Sequence, residues 1–304
     1  MKVLIVGLGS IGKKHLKAIR TIDPQCEIFA LRSGRGCSMV EDVKNIYSLD
    51  EIKSDPVSFA IISNPTSEHK NTLQSLLSLE CPLFIEKPLH SSLDIDNFID
   101  IVEKKKITTY VACNLRFLDS LTYVKKTFES ENKRLNEVNV YCGSYLPDWR
   151  PGTAFKETYS ARPELGGGVH IDLIHEIDYL YWLFGMPLNV RRTFKKQSSL
   201  QIQAYDYANY LLEYEGFCAN TVLNYFRRDT KRTLELVFEG ETWHIDLLKN
   251  QISVNENIIY KSEQKIADTY LTQMEYFLNN FKKENFTFNT VSDAFNVLKI
   301  CLEK

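Results

Sequence analysis

Lys2-Val3-Leu4-Ile5-Val6-Gly7-Leu8-Gly9-Ser10-Ile11-Gly12-Lys13 follows the initial methionine. Val3 to Val6 is a short apolar run that reads as a strand, and Ile11 to Ile22 continues as an amphipathic helix. Between them, Gly7, Gly9 and Gly12 stand in G-x-G-x-x-G spacing. Gly7 permits the tight turn, Gly9 lets backbone approach a pyrophosphate, and Gly12 lets the helix pack against the strand. At the helix start, Ser10 and Ile11 offer unsatisfied N–H groups and a positive dipole to phosphate. The expected ligand is a dinucleotide.

Working outward, apolar runs alternate with amphipathic stretches as far as residue 115, the signature of a parallel sheet with crossover helices. The strands expected are Val3 to Val6, Glu27 to Leu31, Phe59 to Ile62, Leu83 to Ile85 and Thr109 to Ala112. Helices are expected between them at Ile11 to Ile22, Thr66 to Leu79 and Ser91 to Lys105, with Thr66 and Ser91 as N-caps. The end of the second strand bears on cofactor choice. About 20 residues past the glycine turn, an acidic residue normally accepts bonds from the ribose 2′-OH. Here the run is Leu31-Arg32-Ser33-Gly34-Arg35, with no carboxylate to repel a 2′-phosphate. Arg32, Ser33 and Arg35 therefore point to NADP rather than NAD.

Beyond Arg116 the pattern changes to a helix (Leu118 to Glu129), a long strand (Glu137 to Tyr145) and a Pro/Gly-rich loop from Pro147 to Gly168. A single helix is expected from Val169 to Phe184. Strand-like runs follow at Leu188 to Lys195, Tyr207 to Tyr214, Phe217 to Tyr225, Thr233 to Phe238 and Thr242 to Leu247. Turns such as Glu215-Gly216 and Glu239-Gly240 give these strands antiparallel meander geometry. Two helices, Asp268 to Lys283 and Val291 to Leu302, end the chain. The fold class expected is α/β, with a dinucleotide-binding domain at 1–115 and an α+β domain at 116–304.

A length of 304 residues suits two domains, and 44% hydrophobic with 25% charged residues is the balance of a globular protein. A net charge of -2 provides no electrostatic attraction for nucleic acid or an anionic membrane, so neither is expected as a partner. The start of the chain has no secretory h-region, and the seven cysteines are scattered without a C-x-x-C pair. A cytoplasmic protein without disulfides or a metal site is the expectation.

Further motifs are Ser63-Asn64-Pro65-Thr66 with His69, Glu86-Lys87-Pro88, Asn114-Leu115-Arg116-Phe117, Gly166-Gly167-Gly168, Asp172, His175 and Trp182-Leu183-Phe184-Gly185. Together with the glycine turn, this series resembles the Gfo/Idh/MocA family over essentially the whole chain. The resemblance implies a Rossmann domain followed by an open-faced, mostly antiparallel sheet used for oligomer contacts. It also implies substrates that are sugars, polyols, sugar phosphates or nucleotide sugars. The Tyr145 to Pro151 loop and the Asp172 to Asp178 helix look like a subgroup from surface-polysaccharide or nonulosonate sugar gene clusters.

By the same resemblance, Asn64, Pro65, Glu86 and Lys87 attend the cofactor, and His69 lies near it, either in contact or as a structural residue behind it. Lys87 contacts the reacting hydroxyl, His175 is the acid/base group, and Asp172 positions substrate or the proton path. The residues make chemical sense in these roles. A cation stabilises developing alkoxide, Pro88 stiffens its turn, and imidazole titrates near neutrality. Asp172 and His175 stand three apart, where many relatives have four, and Glu176 is placed to share the role. Asn114 and Arg116 lie at a strand end, and Trp149, Arg150 and Arg162 lie in the long loop; all five are candidates for substrate binding. His15, His170 and His244 read as packing or sheet residues, and His90 as bordering the nicotinamide or capping the next helix.

The expected function is an NAD(P)-dependent dehydrogenase or reductase acting on a secondary alcohol or ketone. Reduction of a non-sugar carbonyl or ring, and a non-catalytic dinucleotide sensor, are the alternatives; Lys87, Asp172 and His175 together favour catalysis. A homodimer or homotetramer is expected through the second sheet, with Tyr205, Tyr207, Tyr210 and Tyr214 on its open face.

Overall fold

A computed structural model describes every residue except 35, 37, 38, 53–55, 131, 132, 284 and 304. Elements run in the order β1 (Lys2–Val6), α1 (Ser10–Ile22), β2 (Glu27–Leu31), β3 (Val43–Ile46), β4 (Phe59–Ile62), α2 (His69–Leu76), β5 (Leu83–Glu86), α3 (Asp96–Lys105) and β6 (Thr109–Ala112). Next come α4 (Asp119–Ser130), β7 (Leu135–Tyr145), α5 (Val169–Asp172), α6 (His175–Phe184), β8 (Asn189–Lys195), β9 (Tyr207–Tyr214) and β10 (Phe217–Asn224). The chain closes with β11 (Phe226–Phe238), β12 (Thr242–Asp246), β13 (Gln251–Val254), β14 (Asn257–Lys261), α7 (Thr269–Asn280) and α8 (Val291–Leu302).

Two compact units result, Met1–Cys113 with Tyr270–Leu298, and Asn114–Thr269 with Lys299–Lys304. In the first, all six strands are parallel in the order β3-β2-β1-β4-β5-β6. The order reverses direction between β1 and β4, so the crevice at their carboxyl ends is where such a sheet receives ligands. Both faces are covered, and accordingly Val3, Leu4, Ile5, Phe59 to Ile62, Phe84 and Ile85 are buried. β3 escapes the sequence reading because it is a four-residue edge strand without alternation. α3 begins at Asp96, later than Ser91, because the Ser92 N–H bonds to His90 Nδ1 (3.1 Å) and turns the chain first.

The contiguous boundary at 115 does not describe this division. α7 packs on the parallel sheet, where Phe277 meets Phe59 at 5.1 Å and Phe84 at 5.2 Å between ring centroids. Tyr110 donates to Gln273 Oε1 (3.2 Å), and the Val111 N–H donates to the Asn289 carbonyl (2.8 Å). Burying a ring such as Phe277 contributes about 1.5–3 kcal/mol, enough to hold a segment remote in sequence.

The second unit contains an eight-stranded sheet, β14-β13-β12-β11-β7-β10-β9-β8. Every pair is antiparallel except β7 with β10, so the sheet is mixed but mostly antiparallel. Val138, Val140, Ala208, Tyr210, Leu212, Leu234 and Leu236 alternate onto its buried face. Tyr210 thus belongs to the core instead of the open face, because its neighbours in the period-2 pattern all point inward. Among the described residues, no helix is long and apolar enough to cross a membrane.

Candidate active site

In the first unit, the carboxyl ends of β1, β4 and β5 carry the sequence motifs. Gly7 adopts φ +88°, and a Cβ there would lie 2.3 Å from the Asn64 nitrogen. Only glycine meets both conditions. Gly9 differs: a Cβ would meet nothing within 4 Å, so the turn opens onto space where a phosphate can approach the backbone. α1 starts at Ser10 with no acidic residue in its first turn, and its first internal bond runs from the Lys13 N–H to the Gly9 carbonyl (2.9 Å). The N–H groups of Ser10, Ile11 and Gly12 precede that bond and have no intrahelical acceptor, the arrangement that suits an anion.

Arg32 and Ser33, from the end of β2, line a cleft of about 500 Å³ with Gly9, Tyr47, Asn64 and Pro65. Among the described residues, no carboxylate lines it. Tyr47 was not anticipated; it follows β3, the strand whose edge position hid it. Arg35 lies outside the described residues. The residues of the turn and this cleft fit a dinucleotide.

His69 is buried, with Nδ1 3.2 Å from the Leu89 carbonyl and Nε2 3.1 Å from the Asn64 carbonyl. Burial pulls its pKa down, against the effect of the two carbonyls, so the ring stays neutral and braces the loops after β4 and β5. Glu86 ends β5. Its Oε1 lies 2.5 Å from His15 Nε2, and its Oε2 accepts the Lys87 N–H at 3.2 Å. Glu86 and His69 are thus both bonded to neighbouring protein groups on this sheet edge. Lys87 follows on the same sheet edge, joined to Pro88 by a cis peptide.

In the second unit the expected single helix is two. Asp172 ends α5 and His175 starts α6, with Leu173 and Ile174 between them. The backbone tightens there: Glu176 N–H bonds to Leu173 O (3.4 Å) and Ile177 N–H to Ile174 O (3.1 Å), three residues back instead of four. Asp172 and His175 therefore sit on successive short helices.

Each acid of this segment has a distinct environment. Tyr225, which follows β10, donates to Asp172 Oδ2 at 2.5 Å. Tyr159 also bonds to Asp172, whose charge, with burial, drives the Tyr159 pKa upward. Burial, then Asp172, does the same to Tyr225. Both phenols consequently stay protonated and act as donors to the carboxylate. Glu176 is fully buried and takes Arg232 from β11 by both oxygens, at 2.6 Å and 3.1 Å. Burial opposes the Arg232 charge, but Glu176 with Cys142 and Tyr179 beside it outweighs burial and holds the guanidinium charged. Asp178 is held by Arg116 at 2.9 Å and 2.8 Å, also buried. Glu176 and Arg116, both candidates from the sequence, are thus each engaged in a bidentate charge-assisted pair.

Asn114, likewise buried, donates to Thr269 Oγ1 (2.7 Å). Trp149 lies edge-on to Tyr225 at 5.3 Å and donates to Ser144 Oγ (2.8 Å). Arg150 stands 5.0 Å over the Tyr159 ring. Arg162 pairs with Glu157 near the surface. The structure thus gathers Trp149 and Arg150 around the Asp172 phenols, and gives Asn114, Arg116 and Arg162 partners elsewhere. Sequence reasoning missed Tyr159, Tyr225 and Arg232, since each contact joins distant positions and no local spacing marks it. His170 packs between Phe194 (4.9 Å) and Tyr205 (5.3 Å), and burial brings its pKa down to about 4.

Two family models match the chain. Residues 1–113 match the model described as an oxidoreductase family with an NAD-binding Rossmann fold, and residues 130–244 match a GFO/IDH/MocA C-terminal domain. The first unit is accordingly of the nicotinamide-dinucleotide-binding kind. Among curated proteins, myo-inositol 2-dehydrogenase of Thermotoga maritima is 23% identical over 195 residues, 61% of this chain and 55% of that protein. The chain spans only 55–60% of the length of the curated relatives it matches first. Among solved structures, UDP-N-acetylglucosamine 3-dehydrogenase from Acidithiobacillus ferrooxidans aligns with TM-score 0.81 at 18% identity, covering 100% of this chain and 96% of that one. A levoglucosan dehydrogenase in complex with NADH and levoglucosan aligns with TM-score 0.84 at 14% identity, covering 99% and 95%. These two likenesses concern the fold.

Proposed function

Since the chain belongs to the Gfo/Idh/MocA oxidoreductase family, we propose that it transfers a hydride between a nicotinamide dinucleotide and a secondary alcohol or ketone of a sugar, sugar phosphate or nucleotide sugar. One observation carries the reading: a single carboxyl edge of the parallel sheet bears both the phosphate turn after β1 and Lys87 after β5. A sugar substrate is supported by the relatives, which are named for inositol, levoglucosan and a nucleotide sugar.

In this reading the bound nicotinamide supplies the hydride acceptor or donor. The Lys87 ammonium stabilises negative charge on the reacting oxygen. His175 takes the hydroxyl proton in oxidation and returns it in reduction. Asp172 is oriented by Tyr225 and Tyr159, whose hydroxyls keep its carboxylate from swinging, and it positions substrate or the departing proton. Trp149 and Arg150 belong to substrate recognition.

NADP(H) is the preferred cofactor in this proposal, on the strength of Arg32 and Ser33 in a cleft with no lining carboxylate. Purified protein is expected to bind NADPH about tenfold or more tightly than NADH, the order of one charge-assisted contact. Arg32→Asp is expected to reverse that order. Fluorescence titration checks both, and tighter NADH binding by the unaltered protein overturns the preference. A panel of sugars, sugar phosphates and nucleotide sugars, read at the nicotinamide absorbance, then tests the activity; tight cofactor binding with no turnover across the panel turns the reading toward a sensor.

The assembly proposed is a homodimer or homotetramer through the open face of the eight-stranded sheet. Tyr141, Leu211, Val222 and Val237 are partly exposed there and alternate with the buried set. Sedimentation is expected to give a mass of at least two chains at micromolar concentration, and a monomer mass throughout refutes it.

A further inference from the structure

We propose that His15 and Glu86 form a buried positioning pair that sets the backbone of Lys87 from the helix beginning at the phosphate turn. The proposal rests on the role given to Lys87 above. His15 lies in α1, three residues after Gly12, and is completely buried. Its ring packs against Phe84 at 4.9 Å and Tyr270 at 5.9 Å. From there Nε2 reaches Glu86 Oε1 at 2.5 Å, while Glu86 Oε2 accepts the backbone N–H of Lys87 at 3.2 Å. One carboxylate therefore joins α1 to the first peptide of the lysine turn, using both oxygens. Rotating the Glu86 side chain forfeits both bonds together.

Among the described residues, His15 Nδ1 has no hydrogen-bond partner. The polar contact of the ring is therefore the one that Nε2 makes with Glu86. A carboxylate that is only 7% exposed is an expensive choice where a leucine would pack, so packing alone does not account for it.

Placement supplies the account. Past Lys87, the turn is already braced at the Leu89 carbonyl by His69. The freedom left to the turn lies on the Glu86 side, and His15 removes it. Five residues of helix, roughly 8 Å, separate Ser10 at the phosphate end of α1 from His15. The element that receives the cofactor's phosphates also seats the lysine.

His15→Leu keeps an apolar filler and removes the donor; His15→Gln places an amide N–H near the position of Nε2. Two readouts are needed. In cofactor-free protein, acetic anhydride labelling of the Lys87 peptide, followed by mass spectrometry, is expected to be at least about threefold faster in His15→Leu, as the turn gains local freedom. In turnover, kcat is expected to fall about 10- to 100-fold, the scale of a misplaced reacting group. NADPH affinity and the thermal midpoint of His15→Gln stay near the starting values, and His15→Gln restores both labelling and kcat. Should His15→Leu fail to fold, Glu86→Asp reads the same quantity, because it keeps the charge but is too short to reach both partners. Unchanged labelling and kcat, loss of cofactor affinity in parallel with kcat, or no rescue by glutamine would each overturn the proposal. If instead Lys87→Ala retains turnover, the role of Lys87 is what fails, and the labelling rates still decide whether the pair positions its turn.

Discussion

Lys87→Ala is expected to lower turnover by about 10²–10³-fold while leaving cofactor binding within a few-fold of the unaltered protein. The two effects separate because they belong to different loops of one sheet edge. In the proposed reading, dinucleotide phosphates meet the turn after β1 and the start of α1, whereas Lys87 follows β5 and supplies a charge at the reacting oxygen. A group that acts only as charge builds on the substrate contributes to kcat and little to cofactor affinity. Lys87→Arg is expected to recover only part of the loss, since a planar guanidinium cannot place its charge as the compact ammonium does. Steady-state kinetics with any substrate found in the panel, alongside NADPH titration, measures both quantities. Turnover within tenfold of the starting enzyme would remove Lys87 from the chemistry.

The largest expected loss of stability follows Arg232→Met. Glu176 is fully buried on α6, and Arg232 is its bidentate partner. Removing the cation leaves a carboxylate in a low-dielectric interior, which costs about 3–5 kcal/mol. A folded protein is stable by about 5–15 kcal/mol, so this is a large fraction of the total. Cys142 lies beside the pair, its thiol pushed up to about 12 by burial and by Glu176, and offers no compensating charge. Urea unfolding followed by circular dichroism is expected to show a clear drop in midpoint. Removing both charges, as Arg232→Met with Glu176→Leu, is expected to recover most of it, because the penalty belongs to the stranded carboxylate. A single variant as stable as the parent would mean that water reaches Glu176.

The two outcomes differ in how visible their residues were in sequence. Lys87 stands in a tripeptide beside a strand, which marks it in the sequence although His15 and His69, which brace its turn, come from elsewhere. Arg232 is 56 positions from Glu176 and Tyr225 is 53 from Asp172. Nothing in local periodicity links such pairs, and an arginine in an exposed-looking run of β11 reads as a solvated charge. The run from Val169 to Phe184 is apolar enough to suggest one helix. Its interruption at Leu173 and Ile174 appears only where the backbone packs against the sheet. α7 shows the same limit: its sequence reads as a helix, but not as one that completes the parallel sheet instead of the unit next to it in sequence.

Sequence alone determined the parallel sheet, the glycine turn and the candidacy of Lys87, Asp172 and His175. The sheet and the turn rest on sterics and N–H geometry that operate over a few neighbouring residues, and the three side chains rest on what the family resemblance implies. Tertiary structure decided which charges of the Asp172 to Asp178 segment are withdrawn into ion pairs, which phenols orient Asp172, and which histidine stands behind Glu86. A buried charge must take its partner from whatever strand or helix the fold brings within 3 Å or so, and that partner is chosen by topology, not by spacing along the chain.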